Sequence, residues 1–133
     1  MNICTYVSAV SMQPKQYMVA LYHPSQSYRN MLQSNEAVLQ LLHLSQAGLV
    51  QVLGKTSGAA TPKCEVPRIK KHLHLWKNFP VLKDASAVLH LKKKEVHPCN
   101  DHSLFLFDVL AYRSLNASYL DTKLLGDKKI IRI

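Results

Sequence analysis

Apolar and polar positions alternate most cleanly over residues 85–96, where Ala85, Ala87, Leu89 and Leu91 interleave with Ser86, His90 and Lys92. A period of two predicts a strand buried on one face. Pro98-Cys99-Asn100-Asp101 then reads as a hairpin connection. The chain returns through His102 to Arg113, apolar on both faces in its first half, which places this strand between layers or at an interface. At the other end, Ile3 to Ser11 is rich in Thr, Val, Tyr and Ser and reads as a strand or extended loop. Gln13-Pro14-Lys15 predicts a turn, and Gln16 to Tyr22 a well buried strand. His23-Pro24-Ser25-Gln26-Ser27 breaks it, because the residue before proline is pushed to extended geometry and serine favours turns.

From Tyr28 to about Asn35 the spacing of Tyr28, Met31 and Leu32 predicts a helix, with Ser27 or Ser25 as its N-cap. Ala37 to Leu42 is a short apolar run with the look of a central strand, and Ser45 to Leu53 predicts a second helix that Gly54 stops. Lys55 to Lys83 contains Pro62, Pro67 and Pro80 and reads as irregular, with one short helix around Arg68 to His74. Ile130, Ile131 and Ile133 suggest a final strand. Five or six antiparallel strands with two or three short helices predict a mostly β fold, a closed or split barrel that manages its sheet edges.

Composition narrows the class. A chain of 133 residues suits one domain, and 47% hydrophobic against 19% charged residues is the balance of a folded protein, not of a disordered tail. The longest uncharged stretch, Ala37 to Gly54, carries three glutamines, a histidine and a serine, too polar for a membrane span. No basic region precedes the first apolar residues, so a secretory signal is not expected. Cys4, Cys64 and Cys99 are scattered, with neither C-x-x-C spacing nor clustered histidines. That excludes a disulfide scaffold or zinc site and suits free thiols in a reducing cytoplasm.

The formal charge is +9, and residues 63–133 carry +7 of it. Such a field favours anionic partners. The densest run, Lys92-Lys93-Lys94, lacks the interleaved aromatics of an RNA-recognition sheet. A solvated strand face is the commoner outcome, and nucleic-acid binding is not expected.

Two segments have the chemistry of an anion site. Ser25-Gln26-Ser27 puts two hydroxyls at the mouth of a predicted helix, where free N–H groups and the helix dipole favour a phosphate. On the residues alone, a plain N-cap is the commoner outcome. Gly54-Lys55-Thr56-Ser57-Gly58 has the tail of a nucleotide-binding loop, but position 49 is Leu49 where the first glycine is required. An NTPase is excluded; a loop with a lysine and two hydroxyls could still close over an anionic ligand. His102 beside Asp101 is either a proton donor or orienting group, or an exposed turn histidine.

The order of these pieces, NICTYVSAVSMQP, a strand, SQSYRNML, a short strand, GKTSG and then NDHSLFLFDVLA, resembles the flavin reductase-like family of FMN-binding split barrels. The resemblance runs from Asn2 to about Ala111. It implies a homodimeric split barrel with one FMN per subunit near the dimer interface, FAD being an alternative. Tyr6, Val7, Ser8, Ala9 and Val10 would line the isoalloxazine ring. Ser25, Gln26 and Ser27 would hold the phosphate, and Lys55, Thr56 and Ser57 would close on the ribityl-phosphate end. His102 would lie where a nicotinamide approaches, with Lys63 as a second contact for the dinucleotide. The implied activity is an NAD(P)H-dependent flavin reductase; the competing reading is a flavin-binding or flavin-less split-barrel interaction domain without turnover. The chain departs from the family pattern at Ala59-Ala60-Thr61, at Ala37-Val38-Leu39-Gln40 and at Asn100, which stands where the family has glycine. The family also carries a strand ahead of the first motif, so the resemblance implies a barrel that lacks that strand or has its place filled by a partner segment.

Overall fold

A computed structural model describes residues 1–55 and 58–131. Its strands are β1 (Val7–Met12), β2 (Lys15–Tyr22), β3 (Glu36–Leu41), β4 (Leu73–Trp76), β5 (Phe79–Leu82), β6 (Ala87–Pro98) and β7 (His102–Ser114). The helices are α1 (Gln26–Gln33), α2 (Ala47–Lys55), α3 (Pro67–Lys70) and α4 (Thr122–Asp127), one more than expected. Five strands form an antiparallel sheet in the order β1-β2-β7-β6-β3, and β4 pairs with β5. This is the split-barrel fold that the strand pattern predicted.

β7 lies at the centre of the sheet, paired with β2 on one side and β6 on the other. Phe105 and Phe107 point inward and are completely or almost completely buried, packing with Val19 and Leu21 of β2, Leu89 and Leu91 of β6, and Met31 of α1. Irregular pairings at His90/Leu91 and Lys93/Glu95 interrupt the β6–β7 ladder, the kind of extra residue that bends a strand. A second apolar cluster joins Leu49 and Leu53 of α2, Ile69 of α3, Val81 and Leu82 of β5, Ala85, and Val88 of β6.

Several expectations are corrected. β3 is an edge strand, not a central one. Its central look comes from covering on both faces, with Ala37 and Leu39 against the first cluster and Val38 against the second. The second helix opens as a 3₁₀ turn over Leu44–Gln46, capped reciprocally by His43 and Gln46, before continuing as α2.

Gly54 does not stop α2: no described glycine has positive φ, and the helix runs through Lys55. The ammonium of Lys63 donates to the Leu53 carbonyl, supplying from a side chain what a glycine cap supplies from backbone. The region read as irregular contains the β4–β5 hairpin. Its tip, Lys77-Asn78, has φ of 49° and 66°, the left-handed pair that a two-residue hairpin turn requires. Ile130 and Ile131 belong to no strand. They follow α4, which Asp121 caps, and both their N–H groups return to the Leu125 carbonyl. Ile133 lies outside the described residues.

Candidate functional site

The turn after β2 builds the mouth of α1. Pro24 forces the chain out of the strand, and Ser25 takes the extended N-cap conformation, its hydroxyl accepting from the Tyr28 N–H at 3.1 Å. The Ser25 N–H donates to the Tyr22 carbonyl at 2.9 Å. Ser25 is therefore the N-cap, Gln26 and Ser27 form the first turn, and the Gln26 amide is held by Asn30 Oδ1 at 2.8 Å. The Ser27 hydroxyl has no hydrogen-bond partner among the described residues.

These residues line a cleft of about 570 Å³. Its other walls come from Tyr22, from Asn2 and Ile3, from Gly54 and Gly58, and from the stretch Pro62 to Glu65. Gly58 comes close to α1, since a Cβ built on it would sit 3.4 Å from Gln26 Cβ. Thr56 and Ser57 lie outside the described residues, and Lys55 is placed only as the last residue of α2. The glycines on either side of this triplet both line the cleft.

Lys63 is 5% exposed. It lines the cleft with almost no exposed surface. Its Nζ donates to the Leu53 carbonyl and, at 3.5 Å, to Asn2 Oδ1. Burial pushes the Lys63 ammonium below its ordinary lysine value, and burial pushes the nearby Cys4 thiol up.

The second part of the site is at the start of β7. Antiparallel register sets His102 opposite Tyr22. The imidazole lies 5.2 Å from the Tyr22 ring and meets Tyr6 edge-on at 5.5 Å between centroids. Its Nδ1 is 2.7 Å from Asp101 Oδ1. The hydrogen bond from His102 and the positive charges of His102 and His23 hold the Asp101 carboxyl below its usual range. His23 lies behind this pair: its backbone N–H donates to the Asp101 carbonyl at 3.0 Å and its Nε2 is 3.0 Å from Ser103 Oγ. Tyr22 joins the two halves, because it lines the cleft and packs on His102.

Tyr6, His102 and the Ser25–Ser27 turn are thus brought into one contiguous region. Ser8, Ala9 and Val10 are exposed on the edge strand β1, and none of them lines the cleft. Val7 packs inward against the first apolar cluster. The sequence reading missed Tyr22 and His23. Their signal was weak, an aromatic and an imidazole at a strand end just before proline, and it gained meaning only from the β2–β7 register. No helix among the described residues is long and apolar enough to cross a membrane.

The fold has close relatives among solved structures. An FMN-binding protein from Thermus thermophilus, solved with bound p-hydroxybenzaldehyde, superposes with a TM-score of 0.76 at 25% identity, over 87% of this chain and 65% of its own. The NADH:FAD oxidoreductase SgcE6 from Streptomyces globisporus, in complex with NAD and FAD fragments, gives 0.74 at 15% identity over 86% and 67%. The styrene monooxygenase flavin reductase of Pseudomonas putida S12 gives 0.70 at 20% identity over 84% and 67%. The chain thus spans less than two thirds of the length of the Thermus protein. No curated protein matches it by sequence. The flavin reductase like domain matches residues 2–125, from the segment ahead of β1 to the last helix. That span holds both halves of the site, and the chain belongs to this flavin reductase like family.

Proposed function

We propose that the protein binds FMN and acts as an NAD(P)H-dependent flavin reductase, with FAD as the alternative flavin. The observation that carries this reading is the continuity of the site through Tyr22, from the helix mouth that suits a phosphate to the imidazole that suits a redox centre. The donor set fits the group. The first turn of α1 offers free N–H groups, and the Ser25 oxygen already accepts from Tyr28, which leaves its O–H to donate. Glu65, the carboxylate residue lining the cleft, is paired with Lys70 at 3.0 Å.

When bound, the flavin supplies hydride chemistry at N5; the protein orients it and tunes its surroundings. Ser25, Gln26 and Ser27 would hold the phosphate; the closure on the ribityl-phosphate end expected of Lys55, Thr56 and Ser57 falls outside what the described residues show. Tyr6, whose ring meets His102, would flank the isoalloxazine, with Ser8, Ala9 and Val10 on the exposed edge strand beyond it. With Asp101 holding Nδ1 of His102 at 2.7 Å, Nε2 would be left for the nicotinamide. The exposed apolar side chains of β1 and β7 support a homodimer, and the free thiols Cys4, Cys64 and Cys99 support a reducing cytoplasmic setting.

The exposed small residues Ala59 and Ala60 after Gly58 favour a second reading, a binding domain with little to grip a dinucleotide. One experiment separates the two. The purified protein is reconstituted with FMN and mixed anaerobically with excess NADH or NADPH while the oxidised flavin band is followed. Bleaching by a nicotinamide supports the reductase. Bleaching by dithionite alone leaves a flavin-binding domain, and a protein that takes up no flavin ends both readings.

A further inference from the structure

His23 follows β2 and reaches across to β7 through both its backbone and its ring. Its backbone N–H donates to the Asp101 carbonyl at 3.0 Å, one step beyond the last β2–β7 pair, Tyr22 opposite His102. Its Nε2 lies 3.0 Å from Ser103 Oγ. Ser103 takes the first of the inward positions of β7 that Phe105 and Phe107 continue, and it is 2% exposed. A hydroxyl buried there costs free energy unless a partner meets it, and the imidazole meets it. The same ring packs against Tyr28 of α1, 4.9 Å between centroids, and Tyr28 in turn meets Phe105 edge-on at 6.0 Å. The imidazole is therefore anchored between the first helix and the core strand. Asp101 has no such anchor of its own: its side chain is 69% exposed, yet it holds Nδ1 of His102 at 2.7 Å. His23 thus fixes the residue on either side of His102, Asp101 by its backbone and Ser103 by its ring. Its positive charge also favours the ionised Asp101 carboxyl, the form that accepts from His102.

We propose that His23 is a positioning residue for His102, holding Asp101 and Ser103 on either side of it so that the imidazole keeps the orientation the nicotinamide step requires. The inference rests on the flavin reductase reading and goes beyond it by giving a role to a residue that does not line the cleft. His23 acts through its neighbours and not on the ligand. Misplacing a reacting group by about 1 Å costs on the order of a hundredfold in rate. A loosened brace is therefore felt in hydride transfer and not in flavin affinity.

The test is anaerobic stopped-flow reduction of the FMN-loaded full chain over a range of NADH and NADPH concentrations. The wild type is compared with His23→Leu, His23→Gln, Ser103→Ala and His102→Gln, and with His23→Leu and Ser103→Ala each combined with His102→Gln. His23→Leu and Ser103→Ala should each lower the limiting rate about tenfold or more with FMN affinity unchanged. His23→Gln, whose amide reaches the position of Nε2, should restore most of that rate. In the His102→Gln background His23→Leu should lower the rate no further, because the residue it positions is gone. An undiminished rate in His23→Leu and Ser103→Ala would overturn the inference. Equal losses in the two backgrounds would overturn it as well, since a merely structural histidine acts whether or not His102 is present. Ser103→Ala, alone and with His102→Gln, decides where His23→Leu fails to fold. Either of those results leaves the reductase reading standing, whereas a wild-type flavin that neither nicotinamide reduces removes that reading and the inference with it.

Discussion

Asp101 Oδ1 lies 2.7 Å from His102 Nδ1, and the imidazole held in this way is the ring that meets both Tyr6 and Tyr22. The pair joins the last residue of the β6–β7 connection to the first residue of β7, so one side chain of the loop fixes the orientation of one at the sheet's end. Tyr22 reaches the same ring from β2 because β2 and β7 are in register there. The cleft and the imidazole therefore share a wall, and the backbone pairing of two strands determines how they face one another.

The first prediction follows from that contact. The hydrogen bond from His102 lowers the Asp101 carboxyl from its ordinary 3.8. A depressed carboxylate contributes stability that is present above the unfolded value and is lost as pH falls through the folded one. A carbon-detected NMR titration should place the Asp101 midpoint below that of an ordinary aspartate, and His102→Gln should bring it back toward 3.8. The effect on acid unfolding should be small, because the Asp101 side chain is 69% exposed. An unchanged midpoint in His102→Gln would show that His102 is not the cause.

The second prediction concerns the hairpin hidden from the sequence reading. Asn78 sits at φ 66°, a conformation that asparagine tolerates and glycine adopts freely, whereas a β-branched residue is strained there. Asn78→Val should lower unfolding stability by about 1–2 kcal/mol. Asn78→Gly should be neutral or slightly stabilising, by a few tenths of a kcal/mol. Denaturant titration reads both. β5 carries Val81 and Leu82 into the cluster under α2, so the valine variant should loosen that cluster more than the β2–β7 core. Hydrogen exchange should show this as earlier opening of α2.

Legibility in the sequence followed the origin of each signal. β2, β6 and β7 were readable because each pairs a run of apolar residues with a clear break, and the Ser25 turn because a proline precedes a capping serine. β3 was misplaced in the sheet because two separate clusters cover its faces, and no local pattern distinguishes that from a central position. The β4–β5 hairpin escaped because four-residue strands give no periodicity and Lys77 at φ 49° carries none of the usual turn signature. The isoleucines after α4 have strand propensity that a local turn overrides. Within the site, the helix mouth was visible as chemistry. Lys63 was picked out as a contact but its burial was not, because a lysine beside a proline reads as solvated until the fold places it against the end of α2.

The last prediction concerns assembly. β1 is one edge of the sheet and is followed inward by β2 and β7. At its far end Val10 and Met12 are 51% and 81% exposed, and Leu110 and Tyr112 of β7 are 50% and 57% exposed. Lys15 does not screen this apolar surface with a free charge, since its Nζ is bound to the Tyr112 hydroxyl at 3.0 Å and rests over the Tyr112 ring. An exposed edge strand with large apolar side chains is an aggregation hazard unless something covers it. A second copy of the chain would do so, provided the joined surfaces bury at least about 1,000 Å² in total. Sedimentation should therefore find a dimer at micromolar concentration. Met12→Glu with Leu110→Glu should yield a folded monomer, because both side chains are exposed in the single chain and neither belongs to an apolar cluster. A wild-type protein that sediments as a monomer would remove the dimer proposal. If the double variant stays dimeric, the partner is on another face, and the exposed end of β1 needs a different occupant.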